Sequence, residues 1–117
     1  SKMAQQKLHY MYRDGANWKE SDYVIFANTQ NLSSEGVQEM IEECLFDDGN
    51  FIAEAVGFPT LYFDDDIDPD AHGLHEFLRI EECDFEPNDT QNRDVLDLVI
   101  EFARQRLFDW KTVRNIL

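Results

Sequence analysis

Leu32-Ser33-Ser34-Glu35-Gly36-Val37-Gln38-Glu39-Met40-Ile41-Glu42-Glu43-Cys44-Leu45 is the most strongly periodic stretch of this 117-residue chain. Val37, Met40, Ile41, Cys44 and Leu45 recur at i, i+3, i+4, i+7 and i+8, the spacing that lines one face of an α-helix. Ser33 is placed to cap that helix, Glu35 puts a negative charge in its first turn, and Leu32 with Val37 occupies the N′ and N4 positions of a hydrophobic staple. Asp47-Asp48-Gly49-Asn50 supplies a stop, so the helix is expected to end near Phe46. Glu39, Glu42 and Glu43 fall mostly off the apolar stripe, and acids in the last turn oppose the helix dipole.

Working outward, the pattern on either side changes to the period of a strand. Leu8, Tyr10 and Tyr12 alternate with His9, Met11 and Arg13, and Tyr23 to Ala27 is a short apolar run rich in strand formers. Asp14-Gly15 signals a turn, so these two runs are expected to form an antiparallel hairpin with a long loop. Downstream, Phe51 to Val56 reads as a third strand ended by Gly57-Phe58-Pro59, with Leu61-Tyr62-Phe63 as a brief extension. His75 to Phe85 reads as the last long strand around Phe77, Leu78 and Ile80, although its two faces are not cleanly separated. A second helix is expected from about Gln91 to Leu107, with Val95, Leu98, Val99, Phe102 and Ala103 on its stripe, widened by Leu96 and Ile100. A short last helix would start at Asp109. The order ββαββα implies an α+β domain spanning residues 1–117, an antiparallel sheet of about four strands with two main helices on one face.

Charge is the strongest functional signal. The chain carries 25 Asp and Glu against 10 Lys and Arg, for a formal charge of −15. From Glu20 to Leu78 there are fifteen carboxylates and no Lys or Arg. A 43% apolar and 13% aromatic content supplies a core, so the acidity does not read as disorder. Such a field repels nucleic acid and anionic membranes and favours encounters with basic partners. No stretch is long and apolar enough for a membrane span, and the first residues lack the apolar segment of a signal peptide. Cys44 and Cys83 are isolated thiols, which fits a reducing, cytoplasmic setting.

No catalytic constellation emerges, and no cofactor is implied. Asp64-Asp65-Asp66-Ile67-Asp68-Pro69-Asp70 has alternating carboxylates like a calcium loop. However, Ala71 stands where the EF-hand needs glycine and Phe77 where it needs the bidentate glutamate. His72 and His75 lack the further donors of a zinc shell. There is no Gly-x-Ser-x-Gly elbow, no phosphate-cradling glycine loop and no basic stripe for direct nucleic-acid contact. The segment Tyr12-Arg13-Asp14-Gly15-Ala16-Asn17-Trp18-Lys19 concentrates residue types common at binding hot spots. There Tyr12, Arg13, Asp14, Asn17, Trp18 and Lys19 form a candidate ligand loop, or else Trp18 folds back over the sheet.

That same segment, followed by Val24-Ile25-Phe26, resembles the opening of a family of small bacterial proteins of no assigned activity. Phe51-Ile52-Ala53-Glu54, Gly57-Phe58-Pro59 and His75-Glu76-Phe77 fit the same pattern. The resemblance covers roughly the first two-thirds of the chain and implies a bacterial single-domain protein, with no site residues to carry over. The residues themselves favour an acidic interaction module that masks a basic surface on a protein partner, in the manner of antitoxins, immunity proteins or DNA mimics. Glu39, Glu42, Glu43, Asp64, Asp65, Asp66, Asp68 and Asp70 are its candidate contacts. An acidic accessory domain, or a small-molecule binder built on Tyr12 to Lys19, are the alternatives.

Overall fold

The computed structural model describes residues 4–13, 18–61 and 74–110. It contains strands β1 (Gln5–Arg13), β2 (Lys19–Phe26), β3 (Asn50–Ile52) and β4 (Leu74–Cys83), with helices α1 (Ser34–Glu42) and α2 (Val95–Leu107). The strands form one antiparallel sheet in the order β2-β1-β4-β3. The α+β class and the helix and strand order therefore agree with the pattern in the sequence. β1 lies inside the sheet because it pairs with its hairpin partner on one side and with the distant strand β4 on the other.

The alternation in β1 sets the two faces. Gln6, Leu8, Tyr10 and Tyr12 are buried under the helices, with Leu8 opposite both Val24 and Ile80. Val37 and Ile41 from α1 and Leu98, Val99 and Phe102 from α2 complete that core. An aromatic cluster fills its centre: Phe51 lies 5.9 Å from Tyr10, 5.8 Å from Phe58 and 5.4 Å from Phe102 between ring centroids. Each buried ring of this size contributes on the order of 2–3 kcal/mol through removal from water.

Buried polar groups clamp the connection into α1. The Gln6 amide donates to the Leu32 carbonyl at 2.8 Å and accepts from the Ser34 hydroxyl at 2.8 Å. Asn28 closes the same loop with two bonds to the Leu32 backbone, both 2.9 Å. Ser33 caps α1 as expected, accepting from the Gly36 N–H at 3.0 Å.

Several boundaries differ from the expected ones. α1 ends at Glu42, short of Phe46, because the Cys44 and Leu45 N–H groups bond back only three residues. Phe46 is drawn instead into a turn in which it and Asn50 exchange both backbone hydrogen bonds, with Asp47, Asp48 and Gly49 all at positive φ. β3 stops at Ile52, opposite Leu74, and Ala53–Val56 coils into a 3-10 turn instead of continuing as strand. Leu61 is not in a strand; Tyr62 and Phe63 lie outside the described residues. α2 starts at Val95 instead of Gln91, because Asp94 accepts from the Leu96 N–H while Asp97 accepts from the Asp94 N–H, a reciprocal cap. No helix starts at Asp109: it and Trp110 have φ of 55° and 56°, turning the chain out of helical geometry. The Trp110 ring is fully buried and its indole N–H donates to the Cys44 carbonyl at 3.1 Å. Residues 111–117 lie outside the described part.

β4 spans Leu74–Cys83, and its mixed faces have a specific cause. His9 pairs with Arg79 but Tyr10 pairs with Phe77, leaving Leu78 without a partner residue on β1. This one-residue bulge reverses the alternation. Ile80 faces the core on one side of it and Phe77 and His75 on the other, while Leu78 is turned outward.

Candidate functional site

α1 lies against β4, and between them is a shallow recess of about 330 Å³ lined by Ser34, Glu35, Gln38, Glu39, Glu42 and Ile80. The helical spacing explains its wall: residues 35, 38, 39 and 42 are three or four apart and therefore neighbours on one face. Gln38 reaches across so that its side-chain oxygen accepts from the Ile80 N–H at 3.1 Å. Glu35, Glu39, Glu42 and Glu43 form no ion pair among the described residues. Carboxylates at this spacing repel one another by a few tenths of a kcal/mol per pair, and α1 has no basic residue in its last turn to offset them.

The recess opens on an unpaired sheet edge. β3 covers β4 only from Leu74 to Glu76, and the Phe77 N–H bonds to the Gly49 carbonyl. Opposed pairs in an antiparallel ladder alternate between bonded and non-bonded. The Ile80 N–H, given to Gln38, thus marks Leu8–Ile80 as non-bonded and turns the Glu82 N–H to the same outer edge. Among the described residues no strand pairs with that edge from Ile80 to Cys83. The exposed Glu82 adds a further carboxylate along it.

The cations lie elsewhere. Lys7, Arg13, Lys19 and Arg79 occupy outward positions of β1, β2 and β4, on the sheet face opposite the helices. There Arg13 meets Glu76 at 3.2 Å, His9 meets Glu81 at 2.5 Å, and the Lys7 ammonium stands 4.1 Å above the Tyr23 ring. The hydrogen bond from His9, with its charge, holds the Glu81 carboxyl below the usual range against a smaller opposing effect of desolvation. The other described cations, Arg93, Arg104 and Arg106, belong to α2 and the segment before it. Arg106 approaches the Cys44 end of α1. Burial, then Glu43, pushes the Cys44 thiol up despite Arg106, which makes it a poor nucleophile.

Comparison with known proteins returns no match. No family model, no curated protein and no solved structure is similar enough to lend this chain a residue role.

The expected contacts separate as follows. Glu39 and Glu42 sit together in the recess with Gln38, and Glu43 caps α1 beside them. Asp64, Asp65, Asp66, Asp68 and Asp70 lie outside the described residues, as do Asp14 and Asn17 of the hairpin loop. Tyr12 is buried, with its ring 5.5 Å from that of His75. His75 Nε2 accepts from the Leu61 N–H at 3.0 Å, which fixes its remaining proton on Nδ1 when neutral. Trp18 is 56% exposed, and Arg13 and Lys19 are exposed opposite one another on the outer face. Sequence reasoning omitted Glu35 and Gln38 from the contacts, though both share the i, i+3, i+4 spacing with Glu39 and Glu42. Glu82 was omitted too; its place at a free edge depends on its pairing with the distant Gln6. Among the described residues no group of three His, Cys, Asp or Glu side chains could hold a metal ion, and no helix is long and apolar enough to cross a membrane.

Proposed function

We propose that this protein is an acidic interaction module that occupies a basic surface on a protein partner, of the kind presented by nucleases, toxins and other nucleic-acid-acting proteins. The observation that carries this reading is the grouping of Glu35, Glu39 and Glu42, none ion-paired among the described residues, on one wall of a recess at an open strand edge. Charges of one sign focused beside low-dielectric walls speed the approach of an opposite charge and make the association salt-sensitive. Unpaired carboxylates also need no internal salt bridge to be broken before a Lys or Arg engages them. Glu43 and Glu82 extend the acidic rim.

The test is capture of a basic partner from the cells of origin at low salt, followed by affinity measurement with charge-reversed protein. Raising NaCl from about 50 to about 200 mM should weaken binding by roughly tenfold. The triple variant Glu35→Lys, Glu39→Lys, Glu42→Lys should lower the association rate by about tenfold or more. A control carrying Glu20→Lys and Glu86→Lys, exposed positions away from the recess, should retain most of the rate. Equal loss in both proteins would reduce the effect to net charge and remove the recess from the mechanism.

A further inference from the structure

α2 buries Val95, Leu98, Val99, Phe102 and Gln105, but a second apolar stripe runs along another side of the same helix. Leu96, Ile100, Ala103 and Leu107 follow at i, i+4, i+7 and i+11, so they line up over three turns. Leu96, Ile100 and Leu107 are 38%, 56% and 78% exposed. Single exposed apolar residues are ordinary, whereas a contiguous stripe marks an interaction surface.

The charges beside it say which partner fits. Asp97, Glu101, Arg104 and Arg106 cancel within α2, in a chain whose overall charge is −15. The charges of α2 therefore add little to the repulsion between two copies of the chain. We infer that the stripe is a docking surface for a second copy, joined as an antiparallel α2–α2 pair about a two-fold axis. In that register Leu96 faces Leu107 of the second copy, and Ile100 faces Ala103, whose small side chain lets the backbones approach. The register is self-complementary, as a two-fold interface requires. Asp97 near one end comes toward Arg104 of the other copy, twice over.

The surface is one helix wide, less than the roughly 1,200 Å² of a stable complex, so a dissociation constant of about 10–500 µM is expected. Screening of the overall repulsion should strengthen the dimer as NaCl rises from about 50 to about 300 mM. That trend is opposite to the one expected for a basic partner, and this inference does not depend on that reading.

Sedimentation equilibrium of the full chain tests it. A monomer–dimer equilibrium that tightens with salt is the expected result. Ile100→Glu should leave only monomer across the concentration range. Arg104→Glu should weaken the dimer about threefold or more by facing Asp97 with a like charge. Ile100 is exposed, so the variant should retain the wild-type melting temperature; Leu107→Glu gives the same reading should Ile100→Glu lower it. A wild-type chain that stays monomeric throughout overturns the proposal, and would assign the stripe to a partner of different sequence. A dimer indifferent to both Ile100→Glu and Leu107→Glu overturns it as well.

Discussion

At Asp89, a side chain from the break before α2 becomes part of the core. Its buried carboxylate accepts from the Arg93 backbone N–H and Nε, both at 2.9 Å, and from Nη2 at 3.0 Å. The guanidinium in turn lies 5.7 Å from the Phe26 ring and 5.9 Å from the Phe58 ring. Burial pushes the Asp89 carboxyl up, but the Arg93 hydrogen bonds and charge outweigh it and hold the carboxyl below its ordinary range. A depressed native value means that the stabilisation is present above the unfolded pKa and fades as pH falls through it toward the native one. Asp89→Asn should therefore cost about 2 kcal/mol at neutral pH. The gap in melting temperature from wild type should shrink below about pH 4, where unfolded aspartate gains its proton. A gap that stayed constant down to pH 3 would separate the effect from ionisation. This pair was hidden in the sequence because a break between elements has no period to mark which of its polar residues turn inward. Gln6 and Asn28 were hidden for the same reason: each is polar, and burial follows only from a carbonyl that the fold brings to it.

At the scale of elements, what a strand or helix could declare through its own period was readable, and what depended on a neighbour was not. The α1 stripe was legible because Val37, Ile41 and Cys44 repeat locally, yet Met40 on the same template is exposed. The bulge at Leu78 was legible only as a failure of alternation in β4. The 3-10 turn after β3 falls in a run whose residues read as strand. That turn closes on Gly57, at φ 77°, where the Gly57 N–H bonds to the Glu54 carbonyl and the Phe58 N–H to the Ala53 carbonyl. A β-carbon there would be strained by the left-handed backbone and would meet Gln91 Nε2 at 2.1 Å. Gly57→Ala should lower stability by about 1–2 kcal/mol, most of it from the backbone, since the Gln91 side chain can swing aside. Denaturant melts check this, and Gln91→Ala in the same background should recover little. The acidic recess was half legible: spacing places Glu35, Glu39 and Glu42 on one helix face, but the strand edge beside them follows from sheet order.

For the whole molecule, the net charge is less informative than its distribution. Lys7, Arg13, Lys19 and Arg79 share the outer face of the sheet, while the α1 acids stand on the opposite side, so the described part of the molecule is electrically polarised. Self-repulsion among the acids costs stability that counterions restore. The melting temperature should accordingly rise between about 10 and about 200 mM NaCl; a steady fall would mean that ion pairs such as Arg13–Glu76 outweigh the repulsion. The position of β1 has a consequence for the chain as it is made. Its pairing with β2 forms soon after both have emerged, but its other edge stays open until Leu74–Cys83 follows. Unpaired edges beside apolar residues are where nascent chains associate wrongly. The segment that must be synthesised in that interval is the one bearing carboxylates and no lysine or arginine. Mutual repulsion between such segments would oppose contact between neighbouring growing chains during the delay that the sheet order imposes.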